Sequence, residues 1–439
     1  MKSWSWGNYP LAEQQVIQYN WLSHSLPETT DSQLLLPYGC GRSYGDVPIN
    51  HGGSIIATSN LNRFISFDPA KGILQCEAGI TLSDILAIII PQGWFLPVTP
   101  GTQFVTLGGA IANDVHGKNH HQAGTFGQHI LAFNLLRSEQ DPIRCSLEKN
   151  SDLFKATIGG LGLTGLVTLV ELQLIKINSD QMEIENIAFK NIDEGLDLFE
   201  KYDCQAPYTV AWIDCLSSGD NMGRGIFSWG KHSNQQKDNQ PSSNNNKYIP
   251  VNFPGFTLNK CSVKAFNEVY FRQGVYKQGK SIIDYQPFFY PLDKILHWNR
   301  IYGKKGFFQY QCVVPYGTNG EGKDRISEII RRISVSGNGS FLAVLKRFGD
   351  IKSPGILSFP MPGITLALDF PNKGKATLEL LNRLDDIVRE CGGRVYPAKD
   401  ARMSVYSFQT YFPEWKYFST FIDKQFSSSF WRRVTGEKI

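Results

Sequence analysis

A chain of 439 residues can hold two domains and a large buried core, and 41% hydrophobic with 19% charged residues is ordinary globular material. A formal net charge of +4 is too slight at this length to imply a nucleic-acid partner. Eight cysteines without a CxxC pair point to neither a zinc site nor a disulfide framework and suit a reducing cytoplasm; the start, MKSWSWGNYPLAEQ, lacks the apolar core of a secretory signal, and the longest apolar run, Ile85–Ile90, is far too short to span a bilayer.

The first informative stretch is LLLPYGCGRSYGD, Leu34 to Asp46, where an apolar run enters a turn with Gly39, Gly41 and Gly45. Its spacing is GxGxxxG, not the dinucleotide GxGxxG, and no amphipathic helix follows; a nest of backbone N–H groups and a plain loop are both open readings. Strands are expected at Ser54–Ala57 and Ile73–Glu77. A helix should run from Leu82 to Ile90, capped by Thr81 and stopped by Gly93, with Ile85, Ile88 and Ile89 at core spacing.

Pro97 to Gly127, PVTPGTQFVTLGGAIANDVHGKNHHQAGTFG, is crowded with small residues and holds three of the eight histidines. Three readings compete. His116 and His120 have the i, i+4 spacing of a metal pair, but Gly117, Lys118 and Asn119 between them are poor helix formers and supply no glutamate base. Gly108, Gly109 and Gly117 could cradle a flat anionic ligand on exposed backbone. A tight turn with surface histidines is the plain alternative.

A strand at Ile130–Leu136 and a helical turn at Asp152–Ala156 precede a second glycine run, TIGGLGLTGLVTLV, Thr157 to Val170. Either a flat ring or a neighbouring strand could lie on it. The glycine richness stops near Ile175–Ile184, which sets a domain boundary. Beyond it, Ile192–Tyr202 reads as a helix, and Tyr208–Cys215 and Gly225–Trp229 as strands. The polar tract Lys231 to Lys247 reads as a mobile loop with no core of its own. Phe307–Pro315 alternates so that Gln309 and Gln311 share a face. Asp324–Ile333 and Thr377–Glu390 read as helices, and Phe341–Arg347 and Ile364–Phe370 as strands. This order predicts an α+β architecture with an antiparallel sheet covered by helices.

Taken together, GRSYGD (41–46), PVTPGTQFVTLGGAIANDVHGKNHH (97–121), GGLGLTG (159–165), YTVAWIDC (208–215), FFYPLD (288–293), QYQ (309–311), PGITLALDFP (362–371) and GGRVYPAKDAR (392–402) resemble the vanillyl-alcohol-oxidase type of FAD flavoprotein. Within that family the likeness is to the branch that oxidises polyprenylphosphoryl ribose. The resemblance implies a two-domain PCMH-type FAD-binding fold: an FAD-binding part at 1–177, an antiparallel-sheet substrate domain at 178–391, and a segment, 392–439, returning to the FAD-binding part. It implies FAD contacts from Gly41, Arg42, Ser43, Tyr44, Thr102, Gly109, Ala112, His116, Lys118, Gly165 and Tyr396, with no metal. Related sugar-alcohol and aldonolactone oxidases have a flavin-bonded histidine where this chain has Arg42, so a non-covalent flavin is expected.

Lys399 and His116 take the catalytic places, Lys399 as base or cation and His116 as a support under the ring. Gln309, Gln311, Lys346, Thr365 and Phe289 take the substrate side. Mycobacterial members carry a cysteine, the target of covalent inhibitors, where this chain has Ala367; Thr365 replaces an asparagine and Phe289 a tyrosine. The implied reaction converts the ribose C2 hydroxyl to a ketone, the first half of an epimerisation to an arabinose donor for cell-wall arabinan. A short-chain reductase partner and peripheral contact with the inner membrane face follow. The alternative is a soluble sugar-alcohol or aldonolactone oxidase of the same fold.

Overall fold

The computed structural model describes residues 2–28, 33–138, 140–235 and 247–437. Most of the expected polar loop, 236–246, therefore lies outside the described residues.

The N-terminal part rests on two small sheets. Gln15–Gln18, Ser54–Ala57 and Leu35–Tyr38 pair in parallel with Ser54–Ala57 in the middle. Phe64–Asp68, Ile73–Glu77, Leu166–Gln173, Ile130–Leu136 and Ile143–Ser146 follow one another in an antiparallel sheet. Beside them lies the helix Leu82–Ile89, opened by a capping box in which Thr81 and Asp84 satisfy each other's backbone N–H, and Gly93 follows in the left-handed conformation at φ 79°. Its buried arc is Leu82, Ile85, Leu86 and Ile89, an i, i+3, i+4, i+7 stripe. Ile88, expected in the core, falls beside that stripe and is 40% exposed.

The second part is the expected antiparallel sheet. Its eight strands run in the order Gly279–Asp284, Gln181–Phe189, Gly225–His232, Tyr208–Ile213, Ala343–Phe348, Gly363–Pro371, Phe307–Val314 and Arg394–Val395. Each neighbouring pair is antiparallel. Alternation sorts the side chains. Ala211, Ile213, Leu345, Leu366, Leu368, Cys312 and Val314 pack on the helices Ile192–Tyr202, Glu321–Ser336 and Lys375–Glu390, which bury Phe199, Ile329, Ile333, Leu381 and Leu384 against them. At about 1.5–3 kcal/mol for each large apolar side chain buried, this layer fixes the strand register. The opposite face is left to Trp212, Val344, Lys346, Ala367, Gln309 and Gln311, and it is this face that meets the N-terminal part.

The chain then returns. Tyr44 N–H donates to Ala398 O at 2.9 Å, Leu35 N–H to Gln425 O at 2.7 Å and Ser427 N–H to Leu35 O at 3.0 Å. Arg433 forks onto the buried Asp46 at 2.7 Å and also reaches Asp400 at 3.0 Å. The glycine turn is clamped from this side: a Cβ on Gly45 would lie 1.6 Å from Asp400 O, so only glycine fits there.

Candidate active site

Between the glycine-rich N-terminal part and the free face of the sheet lies a cavity of ≈ 670 Å³. One wall is made of backbone. Gly39, Gly41, Arg42, Ser43 and Tyr44 come from the turn after Leu35–Tyr38, with Gly41 at φ 60°. Thr102, Gly108, Gly109 and Ala112 come from the next small-residue stretch, and Gly162 and Gly165 from the second glycine run. The short helix Leu107–Ala112 is started by Thr106, whose hydroxyl accepts from Gly109 N–H at 3.1 Å. A Cβ on Gly101 would meet no protein atom within 4 Å, and one on Gly109 only the Thr106 hydroxyl. Close packing within the chain therefore does not require Gly101, and at Gly109 it involves only that capping hydroxyl, 2.9 Å away, so a flat ligand against the wall is the further reason for small residues here.

The other wall carries the polar groups. Gln309 and Gln311 stand two apart on one strand, opposite Asp369 and Ala367 on the next. Lys399, from the turn Pro397–Lys399, donates to Gln309 Oε1. The other end of that amide donates to Asp369 Oδ1 at 2.6 Å, and Tyr302 O–H donates to Asp369 Oδ2 at 3.2 Å. The result is one chain, Lys399–Gln309–Asp369–Tyr302, with the amine at its cavity end. Gln311 Nε2 donates to His116 Nε2 at 2.8 Å and to Thr365 Oγ1 at 3.2 Å. Accepting at Nε2 puts the imidazole proton on Nδ1. His116 is wedged against Phe348 and Tyr396, with ring centroids 4.9 and 5.2 Å away. Tyr396 in turn donates its hydroxyl to Asn113 O at 2.8 Å.

The electrostatics are lopsided. Burial lowers Lys118 to about 7, helped by Lys346, and lowers Lys346 to about 8. Burial also takes Lys399 down to about 7, with Asp369 opposing and Lys346 assisting. His116 is held well below its ordinary value by burial and then by Lys346, His120 and Lys399, so it is neutral. Burial pushes Asp369 up to about 7 against the Gln309 hydrogen bond and the Lys399 charge. Arg42 stacks 4.1 Å over Trp6, and its buried Nε has no hydrogen-bond partner. Among the described residues Lys346 has no hydrogen bond or ion pair. A cavity lined by five cationic side chains, Arg42, Lys118, Lys277, Lys346 and Lys399, and by the single carboxylate of Asp293 among the described residues fits a ligand that brings anionic groups. A backbone wall and surplus cations together fit FAD, with its flat ring system and pyrophosphate.

Most of the residues named from sequence meet at this cavity: Gly41, Arg42, Ser43, Tyr44, Thr102, Gly109, Ala112, His116, Lys118, Gly165 and Tyr396 on the cradle side, and Gln309, Gln311, Lys346, Phe289 and Lys399 opposite. Lys118 donates to Phe288 O and lies 4.6 Å over the Phe288 ring. Thr365 is the exception. It is 1% exposed, beneath Gln311, and touches the site only through that amide. His116 and His120 turn to different partners, Gln311 and the Gly349 N–H, and among the described residues no group of three or more His, Cys, Asp or Glu could hold a metal ion.

Sequence reasoning missed Asp369 and Tyr302, and also Asp114. Asp114 is wholly buried and accepts from Ser353, Ser358 and Gly127 N–H, pinning the His116 loop to the segment that carries Phe359. The helix Lys260–Tyr276, which brings Tyr270, Gln273, Gly274 and Lys277 to the cavity mouth, was not expected either.

Residues 29–146 match the model of an FAD-binding domain family. Over 394 residues the chain is 36% identical to decaprenylphosphoryl-β-D-ribose oxidase of Mycolicibacterium smegmatis, covering 86% of this chain and 83% of that one. The chain belongs to the decaprenylphosphoryl-ribose oxidase family. It is an FAD-dependent oxidoreductase. An uncharacterised protein of Streptomyces coelicolor is 30% identical over 74% of this chain and 90% of its own. Likeness to L-gulonolactone oxidase of Scyliorhinus torazame, 31% identical, covers only 31% of each chain.

The free face of this oxidase's antiparallel sheet lines the cavity, and Ala367 sits on it opposite Gln311. Alanine has no nucleophile, so thiol-directed covalent inhibitors are expected to leave this strand unmodified. A mass increase on the peptide containing Ala367 would overturn that.

Proposed function

We propose that this chain oxidises the C2 hydroxyl of a polyprenylphosphoryl-β-D-ribose to the 2-keto sugar with non-covalently held FAD. The observation that carries the reading is the Lys399–Gln309–Asp369 chain, together with the unpaired Lys346, on the wall opposite the glycine cradle. Residues 1–177 with 392–439 make up the FAD unit and 178–391 the substrate unit, with Arg394–Val395 of the returning segment joining the edge of the substrate sheet. Gly41, Arg42, Ser43, Tyr44, Thr102, Gly109, Ala112, His116, Lys118, Gly165 and Tyr396 hold the cofactor through backbone donors, small side chains and positive charge. Bound FAD supplies the acceptor for the hydride that leaves the carbinol carbon.

The amine of Lys399 takes the hydroxyl proton as that C–H bond breaks. The sugar carbon becomes a carbonyl, both electrons depart with the hydride, and the lysine ends protonated. A pKa brought to about 7 leaves a large neutral fraction for this task. Gln309 fixes the amine, His116 holds Gln311 from below, and Gln311 meets a sugar hydroxyl. Lys346 takes the phosphate as a point charge. Phe289 closes the apolar edge, and Thr365 acts through Gln311.

A ketone made in this way must then be reduced from the opposite face to give the arabinose epimer, and we assign that step to a separate short-chain reductase. Among the described residues no helix is long and apolar enough to cross a membrane. The lipid substrate brings the protein to the inner membrane face by peripheral contact.

Anaerobic titration with a short-chain prenylphosphoryl ribose tests the reading. Bleaching of the flavin absorbance is expected; bleaching only by free polyols or lactones would move the chain to the soluble sugar oxidases. Acid precipitation should release the yellow colour into the supernatant, because Arg42 offers no nucleophile to the flavin. Colour retained in the pellet would show a covalent bond.

A further inference from the structure

The helix Lys260–Tyr276 is 17 residues long and buries only Val263 and Asn267. Its apolar residues nonetheless form a stripe. Phe266, Val269, Tyr270 and Tyr276, at i, i+3, i+4 and i+10, share one side and are 47%, 55%, 44% and 90% exposed. Phe256, just ahead of the Asn259 cap, is 78% exposed. Phe266 and Tyr270 lean on Phe341 and Trp212 and still keep nearly half their surface exposed, while Val269, Tyr276 and Phe256 turn further outward. A contiguous apolar face of this kind marks a docking surface.

The charge around the stripe says what docks. Residues 247 to 284 hold six cations, Lys247, Lys260, Lys264, Arg272, Lys277 and Lys280, against Glu268 and Asp284. This stretch therefore carries the whole of the chain's formal net charge of +4. Glu268 is already paired with Arg224 and Arg272. The face is also continuous with the cavity. Tyr270, Gly274 and Lys277 line its mouth, and Tyr270 packs on Trp212 of the sheet floor at 4.6 Å.

We infer that the helix Lys260–Tyr276, with Phe256, lies in the plane of an anionic bilayer. Its aromatic stripe enters the headgroup boundary and its lysines meet lipid phosphates, with the cavity mouth turned to the membrane. An amphipathic helix with aromatic and basic residues binds such a surface without spanning it. The orientation rests on the reading of the substrate as a prenyl phosphate: the sugar reaches Lys399 while the tail stays in the lipid, passing between this helix and the sheet.

The test is co-sedimentation of the holoenzyme with vesicles of phosphatidylcholine alone or with phosphatidylglycerol, without substrate. Binding is expected to the anionic vesicles and to weaken with salt. The triple variant Phe256→Ser, Val269→Ser, Tyr276→Ser, which touches no cavity-lining residue, should bind at least about tenfold more weakly. Its flavin should still be bleached normally by the short-chain substrate. Wild-type protein left in the supernatant, or a triple variant that binds as well as wild type, would overturn the inference. So would a wild-type dimer that the triple variant dissolves without any vesicle binding, since the face would then join two copies. Bleaching by the short-chain substrate reads the proposed function separately, so failure of one is not failure of the other.

Discussion

Lys399→Ala holoenzyme is expected to stay yellow and to lose about 10²–10⁴-fold in turnover, the range for removing a positioned acid–base group. The cradle that holds the flavin is mostly backbone and side chains from the N-terminal part, and of it the Lys399 amine meets the Tyr44 ring, 4.3 Å away. The two neighbours on the same wall do not take the proton: His116 Nε2 is occupied by Gln311, and Gln311 is an amide. Burial is what prepares the lysine, because the cavity disfavours the ammonium form and brings it to about 7.

The sign for activity follows. The base must be neutral, and its neutral fraction grows with pH, so kcat/KM should climb between roughly pH 6 and 8 and then level. If Lys399 acted as a cation instead, the rate would fall over the same interval. For stability, a lysine whose folded pKa is depressed imposes its full penalty below about 7 and none above the unfolded value near 10.5. Lys399→Ala is therefore not expected to melt earlier at neutral pH. Full turnover in that variant would remove the lysine from the mechanism.

The elements that sequence made legible are those whose signal is local. Thr81 and Asp84 write a helix start within four residues, and FFQYQCVVP alternates plainly enough to put Gln309 and Gln311 on one face. The glycines were legible as a wall but not as a cavity. Gly45 is excluded from bearing a side chain by Asp400 O, 355 positions later, and no window along the chain contains both. The helix Lys260–Tyr276 was missed because its apolar residues face outward and its only fully buried ones are Val263 and Asn267, so the usual stripe-against-core pattern is absent.

The same limit governs the site. Lys399, His116 and Lys346 came from the family likeness, and no spacing joins them. Asp369 stood unread in ALDF because a single aspartate in a strand looks like a solvent-facing residue. Only the register, Gln309 opposite Asp369 across 60 positions, turns it inward. Thr365 lies on the same face, but Gln311 covers it, which no local pattern in the strand announces.

Asp369→Leu is expected to lower kcat by about 10- to 100-fold with little change in KM, the cost of one buried amide donor left without an acceptor. Asp369 reaches no substrate, and its effect passes through Gln309. An ionised carboxylate only accepts hydrogen bonds, so it forces the Nε2 end of that amide toward itself and leaves Oε1 to accept from the Lys399 amine. Tyr302, stacked on Phe307 at 4.1 Å, steadies the other carboxylate oxygen. Asp369→Asn separates geometry from charge. Asparagine fills the same space and can still accept from Gln309, but it removes the negative charge that raises the Lys399 pKa. The acid limb of kcat/KM should then move to lower pH while the plateau falls less than in the leucine variant. The sign is fixed by the pair: without the carboxylate the ammonium form loses its partner, so the lysine deprotonates earlier. A merely structural aspartate would change stability and leave the pH profile where it was. An Asp369→Asn enzyme with wild-type kcat and a wild-type acid limb would show that Lys399 is held by something else.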